Sequence, residues 1–317
     1  MARKAAMTSL RSSLKCYLAM RRALGFKLQR YEAHLLDFVA FMERHHARRI
    51  TGRRIVQWVR ENPSMEPCYQ GLRFGAVRGF AVHHSTVDPR TEVPPTDLMP
   101  RARGCNRFYL YSDAEVHRLL AETLKHRVGA TSISRWVRYT LYGLLSVSGL
   151  RIGEALRLNV NDVDMDHGIL HIRDSKFRKS RLVPIHPSTR TALRNYLRRR
   201  DEYFDGRKID PLFVSRHGTR LSHNDAWKSL VRLSKKIGLR GPTDRRGPRL
   251  HDFRHRAATQ VLLRCYRLGA DPERRLPALA TYLGHSDLRH TYWYLHQHPA
   301  LMKGAVRRLE RGWGQVR

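Results

Sequence analysis

The sequence predicts a mainly α-helical protein of two domains with one small β-hairpin. Apolar residues recur at helical spacing near the N-terminus and again in the C-terminal half. A proline-rich stretch without periodicity, VDPRTEVPPTDLMPRARGCNR at residues 87–107, separates the two regions. One segment, GILHIRDSKFRKSRLVPI at residues 168–185, alternates apolar and polar residues around a polar turn, as paired strands do.

Four short helices are predicted for the first domain, residues 1–86. Two of them are indicated by apolar series with helical spacing: Leu10, Leu14, Tyr17 and Leu18, then Leu35, Phe38, Val39 and Met42. Gly25 is the predicted end of the first helix, and Thr51 is the predicted cap of a third. A fourth helix is predicted over residues 66–84, which completes a compact helical domain with basic outer faces.

Residues 87–107 are the predicted linker, and residues 108–317 the second domain. Ser112 and Glu115 form a capping box that starts its first helix. Further helices are predicted over residues 132–147, 188–203 and 298–312. The hairpin of residues 168–185, with its polar turn at 175–180, interrupts this helical pattern.

The charge balance indicates a polyanionic partner. Lys and Arg number 61 against 27 Asp and Glu, which gives a formal net charge of +34. Solubility does not require such an excess, and a chain of this charge repels itself unless it meets an anion. Residues 1–104 carry a net charge of +11 and the remainder +23. Two basic lobes are expected of a clamp that holds one DNA duplex between its domains.

A membrane partner is disfavoured by the same sequence. It contains no apolar run of 18 residues, and its start, MARKAAMTSLRSSLKC, lacks the apolar core of a signal peptide. That start is basic and free of acids, so a transit peptide stays open as an alternative. The four scattered cysteines predict buried free thiols in a reducing cytoplasm, without disulfides or a zinc site.

Two of four polar clusters lie in the first half of the second domain. In SGLRIGEAL, residues 148–156, Arg151 precedes Glu154 by three residues, so the pair is either a guanidinium held by a buried carboxylate or a surface ion pair. In the hairpin turn, Lys176 is able to protonate a leaving oxygen or to contact a phosphate. Lys179 lies close enough to compete for either role.

The other two clusters lie near the C-terminus. His251 and Arg254 in LHDFRH fall one helical turn apart, whereas His255 is expected to pack locally. In TYLGHSDLRHTYWYLH, residues 281–296, Gly284 is the predicted helix end and His285 lies in the corner before the next helix. A catalytic metal is disfavoured, because these histidines have no cysteine or paired-carboxylate partners at ligand spacing.

Together the clusters contain the groups needed to transfer a phosphodiester. Guanidinium groups bind non-bridging phosphate oxygens and stabilise the charge that develops in the transition state. Lysine or histidine serves as general acid or base, and a phenol becomes a nucleophile when nearby cations favour its anion. The arginines supply the positive charge that Mg²⁺ would bring, so no metal or other cofactor is expected.

The order and spacing of these motifs resemble the tyrosine recombinase (phage integrase) family over nearly the whole chain. SGLRIGEAL, the hairpin lysine before RLVP, HDFR, LGH and TYWYLH match the family's motifs in order. The matching residues are Arg151 with its companion Glu154, then Lys176, His251, Arg254, His285 and Tyr294. Tyr292 lies about 200° round a helix from Tyr294, so the two cannot face one phosphate, and Tyr292 is predicted to pack.

The resemblance implies a mechanism and partners. Tyr294 would attack a scissile phosphate and form a 3′-phosphotyrosyl bond, with Arg151, Arg254 and His285 on the phosphate, His251 assisting proton transfer and Lys176 protonating the 5′ oxygen. The substrate would be double-stranded DNA with inverted repeats, bound by a tetramer on two sites, with a partner recombinase or accessory protein possible. The resemblance therefore implies a bacterial, cytoplasmic and nucleoid-associated protein that integrates, excises or resolves DNA, in particular that of a mobile element.

Three further expectations complete the sequence reading. DNA contacts are predicted at Arg73, Arg78, Arg178, Lys179 and Arg181. The C-terminal helix is expected either to dock on a neighbouring subunit or to pack on its own chain. The competing functions are a type IB topoisomerase, which shares the chemistry but relaxes supercoils, and a DNA-binding regulator with a decayed active site.

Overall fold

The computed structural model describes most of the chain, namely residues 10–26, 28–99, 108–125, 133–173, 180–244, 247–295 and 299–314. It is mainly helical with one three-stranded sheet, which confirms the predicted fold class. Contacts divide the chain into two compact units, Met1–Arg107 and Phe108–Arg317. Among the described residues no helix is both long and apolar enough to cross a membrane.

The described part of the first unit contains four helices: α1 (Leu10–Ala23), α2 (Gln29–Arg44), α3 (Gly52–Arg60) and α4 (Pro67–Ser85). Gly25 follows α1 with a φ of +86°, a conformation that glycine adopts without steric cost. The Thr51 hydroxyl accepts a hydrogen bond from the backbone N–H of Arg54 at 3.3 Å and so caps α3. Both predicted helix boundaries are confirmed.

The core of this unit forms from the predicted apolar series. Leu14, Tyr17, Leu18, Leu35, Phe38, Val39 and Met42 are all buried, and Leu10 packs against them half-buried. Trp58 of α3 lies fully buried in an edge-to-face contact with Phe38, with ring centroids 5.2 Å apart. Burial of such large side chains, at about 25 cal/mol per Å² of apolar surface, holds the four helices together.

Arg73 was predicted to contact DNA, and the structure places it inside the first unit instead. Its guanidinium donates to Asp37 Oδ2 at 2.8 Å and lies 3.9 Å from the centre of the Trp58 ring. Trp58 Nε1 donates to the same Asp37 oxygen at 3.1 Å. Arg73 is therefore a buried packing residue, held by an ion pair and a cation–π contact. Arg78 is half-buried, and its Nε donates to the Pro94 carbonyl at 2.9 Å.

The predicted burial of the cysteines is wrong for Cys16. The described cysteines are thiols, with Cys265 buried, Cys68 half-buried and Cys16 exposed. Because Leu14, Tyr17 and Leu18 define the inner face of α1, residue 16 projects from the outer face. Cys105 lies outside the described residues.

The second unit contains nine helices in its described part: α5 (Asp113–Lys125), α6 (Ser134–Ser148), α7 (Ile152–Arg157), α8 (Pro187–Tyr203), α9 (His223–Lys236), α10 (Asp252–Arg267), α11 (Pro272–Leu283), α12 (Arg289–Leu295) and α13 (Pro299–Gly314). The predicted capping box starts α5, where Ser112 N donates to Glu115 at 2.7 Å and Glu115 N donates back to Ser112 Oγ at 3.2 Å. The bounds of α9 were not predicted, because the sequence indicated only that the region after residue 188 is mostly helical.

The strands β1 (Val163–Asp164), β2 (Ile169–Ile172) and β3 (Arg181–Pro184) form an antiparallel sheet in that order. Leu170 pairs with Val183 and Ile172 pairs with Arg181, which confirms the predicted hairpin strands. The tip of its turn, residues 174–179, lies outside the described residues. β1 was not predicted, because two residues are too short to show alternation.

The centre of the second unit fixes the start of α10. Phe253 is fully buried and stacks on Tyr111, with ring centroids 4.5 Å apart and planes within 6°. Asp252 is also fully buried and accepts a hydrogen bond from the backbone N–H of Arg249 at 2.8 Å. Anchored at both residues, the first turn of α10 presents His251 and Arg254 in defined positions.

The last helix, α13, packs on its own chain in this structure. Leu301 is buried in a cluster with Ala258, Leu262 and Leu279. Arg308 forms a two-bond ion pair with Asp271, at 2.7 and 2.8 Å. These contacts correspond to the intramolecular alternative that the sequence left open.

Candidate active site

Arg151 stands at the start of α7, directly after a sharp change of chain direction. α6 ends at Gly149, whose φ of +61° lies in the left-handed region that favours glycine. A Cβ at this glycine would lie only 3.0 Å from a Leu283 methyl carbon, so the backbone runs close against the end of α11. Arg151 Nη2 then donates to the Gly284 carbonyl at 2.9 Å. The guanidinium is thus joined to the corner that precedes α12.

Glu154 is a buried carboxylate that holds this guanidinium, which settles the open choice against a surface ion pair. The residue is 3% exposed and accepts from Arg151 Nη1 at 2.7 Å and from the Arg151 backbone N–H at 3.0 Å. Burial alone would raise its pKa, but the hydrogen bonds and charges of Arg181 and Arg151 outweigh burial and lower it to about 2. Glu154 is therefore ionised at neutral pH.

Arg181 was predicted to contact DNA, but in the structure its guanidinium binds groups of its own chain. Its Nη1 and Nη2 donate to the two oxygens of Glu154 at 3.1 and 2.9 Å, and its Nε donates to the Tyr282 carbonyl at 2.8 Å. The side chain is only 12% exposed. A guanidinium with donors on all three nitrogens engaged inside the protein is a positioning group, and the paired bonds fix Glu154 rigidly.

Arg254 is the most deeply buried arginine of the site, at 1% exposure. Nη1 donates to the Gly149 carbonyl at 2.8 Å and Nη2 to the Leu283 carbonyl at 2.6 Å, which ties the ends of α6 and α11 together. Burial and the nearby charge of Arg151 lower its pKa to about 10, so it stays protonated at neutral pH. Two fixed guanidinium groups thus lie close to one another, an arrangement that favours binding of an anion.

His251 and His255 lie together at the start of α10. Their rings meet edge to face with centroids 4.7 Å apart, and part of the His251 side chain reaches the surface while its ring contacts His255. Desolvation and the Arg254 charge lower the His251 pKa. His255 packs between aromatic rings, as expected, at 5.0 Å from Phe108 and 5.5 Å from Tyr294. Its Nδ1 is buried without a hydrogen-bond partner among the described residues.

His285 lies in the predicted corner between α11 and α12. Gly284 ends α11 with a φ of +69°, and Asp287 starts the next helix by accepting from the Arg289 backbone N–H at 2.9 Å. His285 Nδ1 lies 2.7 Å from the hydroxyl of Thr291. Burial, together with the charges of Arg254 and Arg151, lowers its pKa to about 3. The imidazole is therefore neutral at physiological pH.

Tyr294 faces the arginines, whereas Tyr292 faces solvent. Tyr294 is 3% exposed, and its ring lies nearly parallel to that of His285, with centroids 6.2 Å apart. Burial raises the pKa of its phenol, while the Arg254 charge and hydrogen bond and the Arg151 charge oppose that shift. Tyr292 is 42% exposed, so its predicted packing role is wrong. The helical offset between the two rings explains the difference.

Lys176, Arg178 and Lys179 lie outside the described residues. The strands that carry their turn nevertheless end beside the site, because Arg181 pairs with Ile172 in the sheet and its side chain contacts Glu154. Among the other residues predicted for the site, Arg151, Glu154, Arg254, His285 and Tyr294 form one connected cluster with His251 beside it. Thr291 and Arg181 also contact this cluster, and neither contact was predicted from the sequence. The TxxY pattern was the available signal for Thr291, whereas the contact of Arg181 with Glu154 depends on the tertiary fold.

The cluster is suited to bind and react with a phosphate. It combines the fixed guanidinium groups of Arg151 and Arg254 with neutral imidazoles and one phenol. In the described part of the chain, no three histidine, cysteine or acidic side chains lie close enough together to hold a metal ion.

The four bonds to Glu154 make stability pH-dependent. A carboxylate with a pKa of about 2 instead of 4.5 stabilises the fold fully above its ordinary pKa and loses that contribution as the pH falls through 4.5 towards 2. The depressed pKa corresponds to roughly 3 kcal/mol. We expect Glu154→Gln to lower the free energy of unfolding at neutral pH and to flatten its dependence on pH, as measured by urea denaturation between about pH 6 and about pH 3.

The matched control is Glu202→Gln, which removes an acid whose side chain is 61% exposed and only 3.9 Å from Arg198. In this variant the free energy of unfolding should depend on pH with the same slope as in the wild type, because exposed ion pairs contribute little to stability. A Glu154→Gln variant with the same slope as the wild type would contradict the strong coupling that we assign to this carboxylate.

Comparison with known sequences identifies relatives of this chain. Residues 112–300 match the model of the phage integrase family. The Sinorhizobium fredii (strain NBRC 101917 / NGR234) protein y4rB, whose name describes an integrase/recombinase, is 46% identical over 310 residues, which cover 97% of this chain and 99% of that protein. Tyrosine recombinase XerD of Neisseria meningitidis serogroup B (strain ATCC BAA-335 / MC58) is 30% identical over 69% of this chain and 68% of its own length.

Solved structures share the fold. The XerH site-specific recombinase bound to its palindromic difH substrate in a post-cleavage complex has a TM-score of 0.65 at 19% identity, over 88% of this chain and 79% of that one. The Tn1549 transposon integrase in complex with circular intermediate DNA has a TM-score of 0.64 at 16% identity, over 94% and 99%. The predicted family resemblance is confirmed by the sequence matches.

Proposed function

The chain belongs to the phage integrase family, and from that premise we propose that it is a site-specific DNA recombinase that breaks and rejoins DNA strands through Tyr294. The observation that carries the proposal is the junction of Arg151, Arg254 and His285 around the buried phenol. A protein that only binds DNA has no need of a nucleophile among fixed cations.

In the first step, the phenol oxygen of Tyr294 attacks the phosphorus of the scissile phosphate. The new bond from phosphorus to the tyrosine oxygen replaces the bond to the 5′ oxygen, which leaves as a hydroxyl. The tyrosine proton passes to a base, the role that we assign to His251, and Lys176 gives a proton to the leaving oxygen. No net charge is gained or lost by the protein and DNA together.

The arginines act on the charge of the transition state. Arg254 is held by two carbonyls and Arg151 by Glu154, so neither side chain must reorganise when negative charge grows on the non-bridging oxygens. Their charges also favour the phenolate of Tyr294. In the second step a 5′-hydroxyl of another strand attacks the phosphotyrosine and releases Tyr294. The covalent link conserves the energy of the ester, so the exchange proceeds without ATP.

The substrate that fits this chemistry is double-stranded DNA with inverted-repeat sites around a short spacer. A net charge of +34 supplies binding to the phosphate backbone. Residues 1–86 would bind DNA as a core-binding domain, residues 87–107 would act as the linker, and residues 108–317 would carry the chemistry. Four protomers on two duplexes complete the exchange, and the mobile-element context that we propose agrees with the integrase/recombinase name of the y4rB relative.

A strand-exchange assay tests this function. Two labelled duplexes carrying inverted repeats from the DNA that flanks the coding sequence should yield recombinant products with this protein alone or with a partner recombinase. A supercoiled plasmid that lacks the site should remain supercoiled. Relaxation of the site-free plasmid without exchange would indicate a topoisomerase, and site binding without strand breakage would indicate a regulator.

A further inference from the structure

The hydroxyl of Thr291 is a polar group of α12 that contacts His285 directly, and the His290 ring of the same helix lies farther off, with its centroid 5.9 Å from that of His285. Thr291 is fully buried, and its Oγ1 lies 2.7 Å from Nδ1 of His285. Thr291 precedes Tyr294 by one helical turn, so both residues lie on the face of α12 that contacts His285. The His285 ring is thus held by a hydrogen bond at Nδ1 and by packing beside the nearly parallel Tyr294 ring.

The bond matters because His285 is neutral. With its pKa lowered to about 3, the imidazole carries one proton at physiological pH, on either Nδ1 or Nε2. Only the form with the proton on Nε2 can donate from that nitrogen to a phosphate oxygen. In that tautomer Nδ1 carries no proton and accepts a hydrogen bond, and the Thr291 hydroxyl is the neighbour that can donate one to it.

A helical threonine often donates its hydroxyl proton to the carbonyl four residues earlier. For Thr291 that carbonyl belongs to Asp287, and it already accepts the backbone N–H of His290 at 3.2 Å. The hydroxyl is instead within 2.7 Å of an imidazole nitrogen. The charged neighbours of His285, Arg254 and Arg151, donate to carbonyls and to Glu154, so their contacts give no alternative donor to Nδ1.

We propose that Thr291 is a positioning residue that donates its hydroxyl proton to Nδ1 of His285 and so presents the Nε2 proton to the scissile phosphate. The proposal rests on the function proposed above, since it assigns a phosphate to that site. It adds a residue to the machinery without giving it a contact with DNA. The same bond connects α12, which carries the nucleophile, to the corner at the end of α11.

Two variants separate the hydroxyl from the shape of the side chain. Thr291→Val keeps the volume and branching but removes the donor, whereas Thr291→Ser keeps the donor. We expect the single-turnover rate of adduct formation on a nicked duplex site to fall about 10- to 100-fold in Thr291→Val. DNA affinity should stay within about threefold, and Thr291→Ser should recover most of the rate. Thermal unfolding of each variant verifies that it is folded.

The tautomer is measured directly, without DNA, by nitrogen NMR of protein labelled at histidine. The His285 signals are identified by their loss in His285→Gln. In the wild type we expect Nε2 to carry the proton, and in Thr291→Val we expect the Nδ1-protonated form to appear. In a His285→Ala background, Thr291→Val should cause no further loss of rate.

Several results would overturn the assignment. A wild-type His285 with its proton on Nδ1 would reverse the direction of the hydrogen bond. Equal tautomers and equal rates in wild type and Thr291→Val would remove any role for the hydroxyl. If the wild type formed no adduct at all, the proposed function would fail, while the NMR result would still decide which group donates between Thr291 and His285.

Discussion

We expect replacement of Tyr294 by phenylalanine to abolish the covalent protein–DNA adduct, with a loss of at least about 10⁴-fold in rate, because the attacking oxygen is gone. The substitution removes one atom from a side chain that is 3% exposed, so the ring keeps its place beside His285. The lost hydrogen bond with the charged guanidinium of Arg254 costs about 2 kcal/mol of stability. Adduct formation is measured on a nicked duplex by denaturing gel, and DNA affinity by gel shift.

Tyr292→Phe is the matched control, since it makes the same change on the same helix at a ring that is 42% exposed. This variant should form the adduct at close to the wild-type rate. If Tyr292→Phe abolished the adduct and Tyr294→Phe did not, the nucleophile would be Tyr292, and α12 would have to turn on binding DNA.

Arg254→Lys should lower the rate of adduct formation by about 10²- to 10³-fold while DNA affinity changes little. The change keeps a positive charge but removes the planar group that now spans the Gly149 and Leu283 carbonyls at 2.8 and 2.6 Å. One ammonium cannot serve both carbonyls and also lie against Tyr294 and a phosphate. Single-turnover kinetics with saturating protein report this loss apart from binding.

Arg256→Lys controls for the loss of a partly buried arginine on the same helix. Arg256 donates to the Ser146 carbonyl at 3.0 Å and pairs with Asp113, away from the tyrosine. Its replacement should lower thermal stability and spare the rate. Equal losses of rate in the two variants would mean that Arg254 acts only through folding of α10.

Features of local origin were predictable from the sequence. Gly25, Thr51 and the Ser112–Glu115 capping box define helix ends through the conformations and hydrogen bonds of a few adjacent residues. The apolar series of α1 and α2 became the core of the first unit. The site residues could be proposed because five motifs occur in the family's order, and each motif is local.

Features that depend on tertiary contacts were not predictable. In their own segments Arg73 and Arg181 look like cations that face solvent. In the structure Arg73 pairs with Asp37 and lies against the Trp58 ring, and Arg181 pairs with Glu154. Glu154 lies 27 residues before Arg181, so no local pattern joins them. Tyr292 was expected to pack because it lies about 200° round the helix from Tyr294, but the buried residues of α12 are Thr291 and Tyr294, and Tyr292 faces solvent.

We propose that fixed cationic side chains activate Tyr294 to hold the 3′ end of a broken DNA strand. The most direct measurement is mass spectrometry of the adduct formed in EDTA, after digestion with nuclease and protease. We predict a nucleotide joined through its 3′ phosphate to Tyr294, with a free 5′-hydroxyl on the other cut end. A nucleotide on another residue, or strand breakage that disappears in EDTA, would contradict the account.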